Sequence, residues 1–236
     1  MKIALIGYGA MGKLIELIAK DNGHEIAAVL HETEAGFTAA EIATRLSDVD
    51  VTIDFSTAEA VRRNVEACVI AKVPLVEGTT GWNAEKETIE KIVLDGGGAF
   101  VFGANFSIGV NLFYRISDFA AELFAKFPEY EAFIEEQHHS RKKDAPSGTA
   151  LKLKDIVAKH LAEDFSVSST RAGNIPGTHR IGFDGPADQI LLEHSARSRE
   201  GFASGAILAA EWIVEKKGFY EFTAIIDEVL SHNSSK

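Results

Sequence analysis

The chain has 236 residues, 46% of them hydrophobic and 25% charged, which is the composition of one large or two small soluble domains and excludes collagen-like, low-complexity and largely disordered chains. A net charge of -11 argues against a whole-surface nucleic-acid binder. The single cysteine, Cys68, excludes an intrachain disulfide and any multi-cysteine zinc site. No signal segment and no membrane-length apolar run are evident, so the expectation is a cytoplasmic protein with no membrane and no nucleic-acid partner.

Ile3–Ile6 reads as a short buried strand, and Lys13–Asn22 as a helix ended by Gly23. Glu25–Leu30 and Val51–Phe55 read as strands and Ala58–Lys72 as a helix. Pro74–Glu77 is a fourth strand, Ala84–Leu94 a helix and Ala99–Phe102 a fifth strand. Strand and helix in alternation mean parallel βαβ units. After Ser107 the rhythm changes. Leu112–Phe127 reads as a helix, Tyr130–Gln137 as a strand and Ser147–Leu161 as a helix. Ser166–Gly185 reads as a long polar, glycine-containing stretch. Gln189–Ser195 is a strand, Gly205–Lys216 a helix and Thr223–Leu230 a last short helix. The expected fold is α/β: an N-terminal Rossmann-type parallel sheet plus a C-terminal α+β domain with a mixed sheet.

Gly7-Tyr8-Gly9-Ala10-Met11-Gly12 follows a predicted strand and opens a predicted helix. In that setting the first glycine permits a tight turn, the second a close approach to a pyrophosphate and the third close packing of helix on strand. The helix start adds free N–H groups for phosphate. An acid at the end of the second strand completes this fingerprint, and Glu32 lies 20 residues after Gly12. His31 precedes it. A carboxylate there favours NADH, while a histidine facing the ribose tolerates a 2′-phosphate. The reading leans to NADH over NADPH, or to use of both.

Residues 138–143 hold two histidines and three fixed cations, followed by Pro146-Ser147-Gly148-Thr149, a helix-start pattern. Histidines suit proton transfer near neutrality. Cations beside a helix N-terminus suit an anion. The alternative is a solvated charged loop. No metal is expected: adjacent His138 and His139 face opposite sides of a strand, and Arg141 and Lys142 repel a cation. Cys68 and Trp212 read as packing. His160 and His194 have weak context, with His194 placed on the second sheet. Phe113, Phe119, Phe124 and Phe127 read as core or subunit contact.

The run from His138-His139 through Lys142 to Asp144-Ala145-Pro146-Ser147-Gly148-Thr149-Ala150 resembles the signature of the dihydrodipicolinate reductase family. Asp54-Phe55-Ser56, Gly78-Thr79-Thr80-Gly81, Ala104 to Asn111, Arg197-Ser198-Arg199 and Phe202 to Ala206 extend the resemblance along the chain. It implies NADH- or NADPH-dependent reduction of a cyclic imine dicarboxylate, 4-hydroxy-tetrahydrodipicolinate, in the diaminopimelate route to lysine. It implies a homotetramer, with a dinucleotide domain over 1–107 rejoined by about 200–236, and a substrate and oligomerisation domain over 108–199. Cofactor contacts would be Gly7, Tyr8, Gly9, Ala10, Met11, Gly12, His31, Glu32, Gly78, Thr79, Thr80, Gly103, Ala104, Asn105 and Phe106. His138 and Lys142 would be catalytic proton donors. His139, Gly148, Thr149 and Arg199 would bind substrate. Acid and hydride groups on separate domains would imply closure. The competing readings are another two-domain Rossmann dehydrogenase and a non-catalytic dinucleotide sensor.

Overall fold

The computed structural model describes residues 1–31, 33, 36–161 and 164–232. They divide into two compact units, Met1–Ile108 with Arg199–Lys236, and Gly109–Ser198.

The first unit is built on β1 (Lys2–Ile6), β2 (Glu25–Leu30), β3 (Val51–Asp54), β4 (Leu75–Glu77), β5 (Ala99–Phe102) and β10 (Gly218–Glu221), in the order β10-β5-β4-β3-β1-β2. Every pairing is parallel. The strands are apolar along their length because helices cover both faces of a parallel sheet. These helices are α1 (Ala10–Asp21), α2 (Ala39–Arg45), α3 (Ala58–Ala71), α4 (Lys86–Asp95, after a 3-10 turn at Asn83–Glu85), α7 (Glu200–Ile213) and α8 (Phe222–His232). Leu75, Phe100, Val65 and Ile89 lie in one core, with Cys68 among them. Burial pushes the Cys68 thiol up to about 12, so it is a packing group, as expected.

The second unit carries α5 (Ile108–Phe124) from its second residue onward, α6 (Gly148–Val157) and a mixed sheet of β6 (Glu131–His138), β7 (Ser166–Arg171), β8 (Thr178–Asp184) and β9 (Gln189–Ser195), ordered β7-β6-β8-β9. β6 runs parallel to β7 and antiparallel to β8. Its core joins Phe113, Ile134, Leu153, Ile181 and Phe183, with Phe124 stacked on Phe183 at 4.2 Å. Phe119 and Phe127 are exposed instead.

Four differences from the sequence reading have local causes. The stretch 166–185 contains β7 and β8 rather than a loop. Gly182 in β8 is required by packing: a Cβ there would lie 2.2 Å from the Phe133 ring of β6. Gly205 sits inside α7, not at its start, because a Cβ would fall 1.8 Å from the Phe106 carbonyl oxygen. Helix α2 is announced by a capping box, with Thr38 accepting from the Glu41 N–H and Glu41 from the Thr38 N–H. β10 is a short strand at the sheet edge, beside β5.

Candidate active site

The carboxyl ends of β1, β3, β4 and β5 carry four loops. After β1, Gly7 has φ +84, and a Cβ on it would lie 2.4 Å from the Phe55 carbonyl oxygen. A Cβ on Gly12 would lie 2.3 Å from the Gly7 oxygen. Both glycines are therefore fixed by the fold. Gly9 is different. It has φ −78, caps α1 without a side-chain hydrogen bond, and meets nothing within 4 Å. Its open face and the free amides of Ala10 and Met11 at the helix start form a cradle suited to a pyrophosphate. Tyr8 bonds Glu16 and stands edge-on to His31 at 5.1 Å. Glu32 lies outside the described residues.

After β3 and β4, two buried carboxylates tie the loops together. Asp54 accepts from the Ser56 N–H at 2.8 Å and from Asn64 Nδ2 at 2.6 Å. Glu77 accepts from the Thr79 N–H at 2.7 Å, and Thr79 Oγ1 accepts from the Ser56 N–H at 3.1 Å. Burial and the neighbouring Asp54 charge push Glu77 well above the usual carboxylate range. A Cβ on Gly78 would meet the Phe55 ring at 2.2 Å, while Thr80 is exposed. After β5, Gly103 and exposed Ala104 precede Asn105, whose Oδ1 accepts from the Ser107 N–H at 2.9 Å. The Phe106 side chain is buried against Phe222 at 4.8 Å.

In the second unit, His138 ends β6 and His139 follows. Glu136, two residues earlier on the same strand face, bonds His138 Nδ1. The same carboxylate accepts from Arg171 Nη2 at 2.6 Å and from the Ser147 N–H at 3.3 Å. Burial pushes Glu136 up, but Arg171, Ser169 and His138 outweigh it and leave it below its ordinary value. Burial lowers His138, with Lys142 and Arg171 adding to the effect, although Glu136 opposes them. Ser147 caps α6, its Oγ accepting from the Ala150 N–H at 3.2 Å and pairing with His179 Nε2 at 3.1 Å. Lys142 Nζ lies 2.8 Å from Asp144 Oδ1, and that contact is the main reason Asp144 is lowered. The loop is tied down by the Ser140 N–H to Gly173 O at 3.2 Å and by Arg141 to Asn174 at 3.0 Å.

Thus His138, His139, Lys142, Gly148 and Thr149 gather around the end of β6 and the start of α6. Gly148 is exposed with nothing within 4 Å of a Cβ, and its amide and that of Thr149 lie in the first turn of α6. Arg199 falls in the first unit, at the N-cap of α7. Glu136, Arg171 and His179 are site residues that the sequence reading did not single out. Glu136 had one signal, its place two residues before His138. Glu136, His138 and His179 each bring one potential ligand atom within 4.8 Å of the others, and the Arg171 guanidinium already supplies the positive charge beside Glu136. Of the other histidines, His160 pairs with Asp118 at 3.0 Å, and His194 lies on β9 beside Phe113 at 6.0 Å. Trp212 packs edge-on against Tyr220 at 5.0 Å.

Comparison with known proteins places these residues in context. Residues 1–106 match the family model for the dihydrodipicolinate reductase N-terminus, and residues 109–226 match that for its C-terminus. The chain is 32% identical to the 4-hydroxy-tetrahydrodipicolinate reductase of Christiangramia forsetii, over 98% of this chain and 100% of the relative. It is 36% identical to that of Staphylococcus epidermidis, over 94% and 99%. Among solved structures, dipicolinate-bound dihydrodipicolinate reductase from Paenisporosarcina sp. TG-14 superposes with a TM-score of 0.77 at 24% identity, over 95% of this chain and 99% of that one.

Proposed function

The chain belongs to the dihydrodipicolinate reductase family and carries out NAD(P)H-dependent reduction of 4-hydroxy-tetrahydrodipicolinate in lysine and diaminopimelate biosynthesis; we propose the following division of labour among its residues. The first unit binds the reduced dinucleotide. The Gly7–Gly12 loop takes the pyrophosphate, His31 and Glu32 take the adenosine ribose, and Gly78, Thr79, Thr80 and the Gly103–Phe106 backbone flank the nicotinamide. The cradle at Gly9 fits this group, since its glycine has no requirement within the fold. NADH is the preferred donor, with no arginine in 31–34 to receive a 2′-phosphate.

The second unit binds the substrate. Its ring carries two carboxylates, and the Gly148 and Thr149 amides hold one of them, helped by His139. Loss of water from the hydroxylated ring gives a conjugated imine. When bound, the nicotinamide would supply the hydride that the conjugated carbon receives. Electrons move to the ring nitrogen, and the resulting enamine takes a proton at carbon. His138 and Lys142 supply the protons, a contribution of roughly 10²–10⁴ in rate for a positioned acid. One observation carries this reading: the Glu136-oriented His138 stands at the same strand end as Lys142 and the Ser147-capped start of α6.

The enzyme is a homotetramer in this proposal. Exposed Phe119, Phe127, Ile190 and Leu191 of the second unit supply apolar surface for subunit contact, and light scattering measures the assembly. A cytoplasmic setting suits a chain whose one cysteine is a buried free thiol. The test is a coupled assay. The substrate is generated in situ from pyruvate and aspartate semialdehyde by a dihydrodipicolinate synthase, and nicotinamide oxidation is followed with NADH and NADPH in parallel. Substrate-dependent oxidation, faster with NADH, is the expected result. Absence of oxidation with either donor overturns the reading.

A further inference from the structure

We propose that Glu136 is a positioning residue that serves both halves of the substrate site, one carboxylate oxygen fixing the His138 ring and the other holding the first turn of α6. The inference rests on the reading of His138 as the proton donor.

Glu136 is 1% exposed, and both of its oxygens are committed. Oε2 meets His138 Nδ1, and Oε1 meets the Ser147 N–H at 3.3 Å and Arg171 Nη2 at 2.6 Å. Arg171 stands opposite His138 in the β6–β7 register. Its Nη2 also donates to the Asp144 carbonyl at 2.5 Å. One carboxylate therefore links the histidine, the loop bearing Lys142 and the amide preceding the Gly148–Thr149 cradle. With Nδ1–H given to Glu136, the proton the ring can donate sits on Nε2. Gly177, at φ +133, keeps that edge clear, because a Cβ there would lie 3.3 Å from both Cδ2 and Nε2.

The charged and titratable groups around His138 are Glu136 on its own strand, Arg171 on β7, His179 on β8 and Lys142 in the loop. His179 is 5.0 Å away, ring to ring, and edge-on. Glu136 is the one acid in that set. Its loss leaves burial and two cations acting on the imidazole in the same direction. Protonated His138 is then harder to form.

The experiment is Glu136→Gln, which keeps the shape and removes the charge. The His138 ring is titrated by NMR, its signal identified by its absence in His138→Ala, and kcat and KM are measured against pH. The expected midpoint of His138 moves to lower pH. The pH at which kcat falls moves with it, and kcat at neutral pH drops about tenfold or more, within what a positioned acid contributes. KM changes little by comparison, because the glutamine amide oxygen still accepts from the Ser147 N–H. Glu136→Asp, which keeps the charge on a shorter arm, restores the midpoint more fully than kcat. Should Glu136→Gln not fold, Glu136→Asp carries the test, and a kcat equal to wild type in that variant overturns the proposal. A His138 midpoint unchanged from wild type overturns the proposal, as does a loss confined to KM. A midpoint that moves while the rate profile stays in place leaves the Glu136–His138 coupling standing and overturns the role of His138 instead.

Discussion

Two substitutions in the glycine loop separate what the fold requires from what the ligand requires. A methyl on Gly12 would stand 2.3 Å from the Gly7 oxygen, about 1 Å inside ordinary contact. Overpacking of that kind costs about 1–3 kcal/mol, which for a chain of this size lowers the melting midpoint by roughly 2–12 °C. A methyl on Gly9 meets nothing within 4 Å, and the backbone at φ −78 accepts alanine. Alanine is a poorer N-cap than glycine by up to about 1 kcal/mol, and a gain of about 0.4–1 kcal/mol from a less flexible unfolded chain offsets this. Gly9→Ala therefore leaves the midpoint within roughly 4 °C. It places the methyl where the pyrophosphate approaches, and NADH binding weakens about 10- to 100-fold, or about 1.4–2.8 kcal/mol. Thermal melts paired with NADH fluorescence titrations measure both effects. Gly9→Ala binding NADH as tightly as wild type would refute the pyrophosphate cradle. Equal destabilisation by the two variants would refute the separation of roles.

His138→Ala and Lys142→Ala each lower kcat by about 10²-fold or more while NADH affinity stays within about twofold, because neither residue belongs to the unit proposed to bind it; steady-state kinetics with NADH titration measures this, and near-wild-type turnover in either variant contradicts its role as a proton donor. His179 has a different consequence. Burial, with the nearby His138 charge, lowers it from 6.5 to about 4. The unfolded chain takes up its proton first, so stability is intact above about pH 6.5 and falls as the pH drops towards 4. The gap amounts to about 3 kcal/mol. Urea unfolding across that window shows the slope, and His179→Asn flattens it. Cys68, buried and pushed up to about 12, resists alkylation in the native protein and reacts once urea unfolds it; mass spectrometry after a thiol reagent distinguishes the two.

The elements read most closely from the sequence are those whose own side chains state their environment. β2, β5 and β9 run over Glu25–Leu30, Ala99–Phe102 and Gln189–Ser195, the bounds their apolar runs and flanking polar residues suggest. β1 reads as a run of buried residues because both faces of a parallel sheet are covered. The glycine loop and the histidine–lysine run were legible because each packs its chemistry into a few consecutive residues. β7 was not. Its sequence Ser-Val-Ser-Ser-Thr-Arg is mostly exposed and carries no apolar alternation, and it is a strand because β6 offers it a parallel ladder. β8 was hidden by Gly182, which looks like a turn residue and is instead the space that the Phe133 ring fills.

The sequence alone determined the βαβ order, the glycine turn after β1 and the concentration of basic side chains at 138–142, because these are local patterns of period and spacing. Only the tertiary structure decided which distant residues complete the site. Glu136 and Arg171 are 35 apart in the chain, and Ser147 and His179 are 32 apart. They meet because β6 lies between β7 and β8. A buried carboxylate needs partners for both oxygens, and the pairing of strands, unlike the spacing along one strand, supplies them.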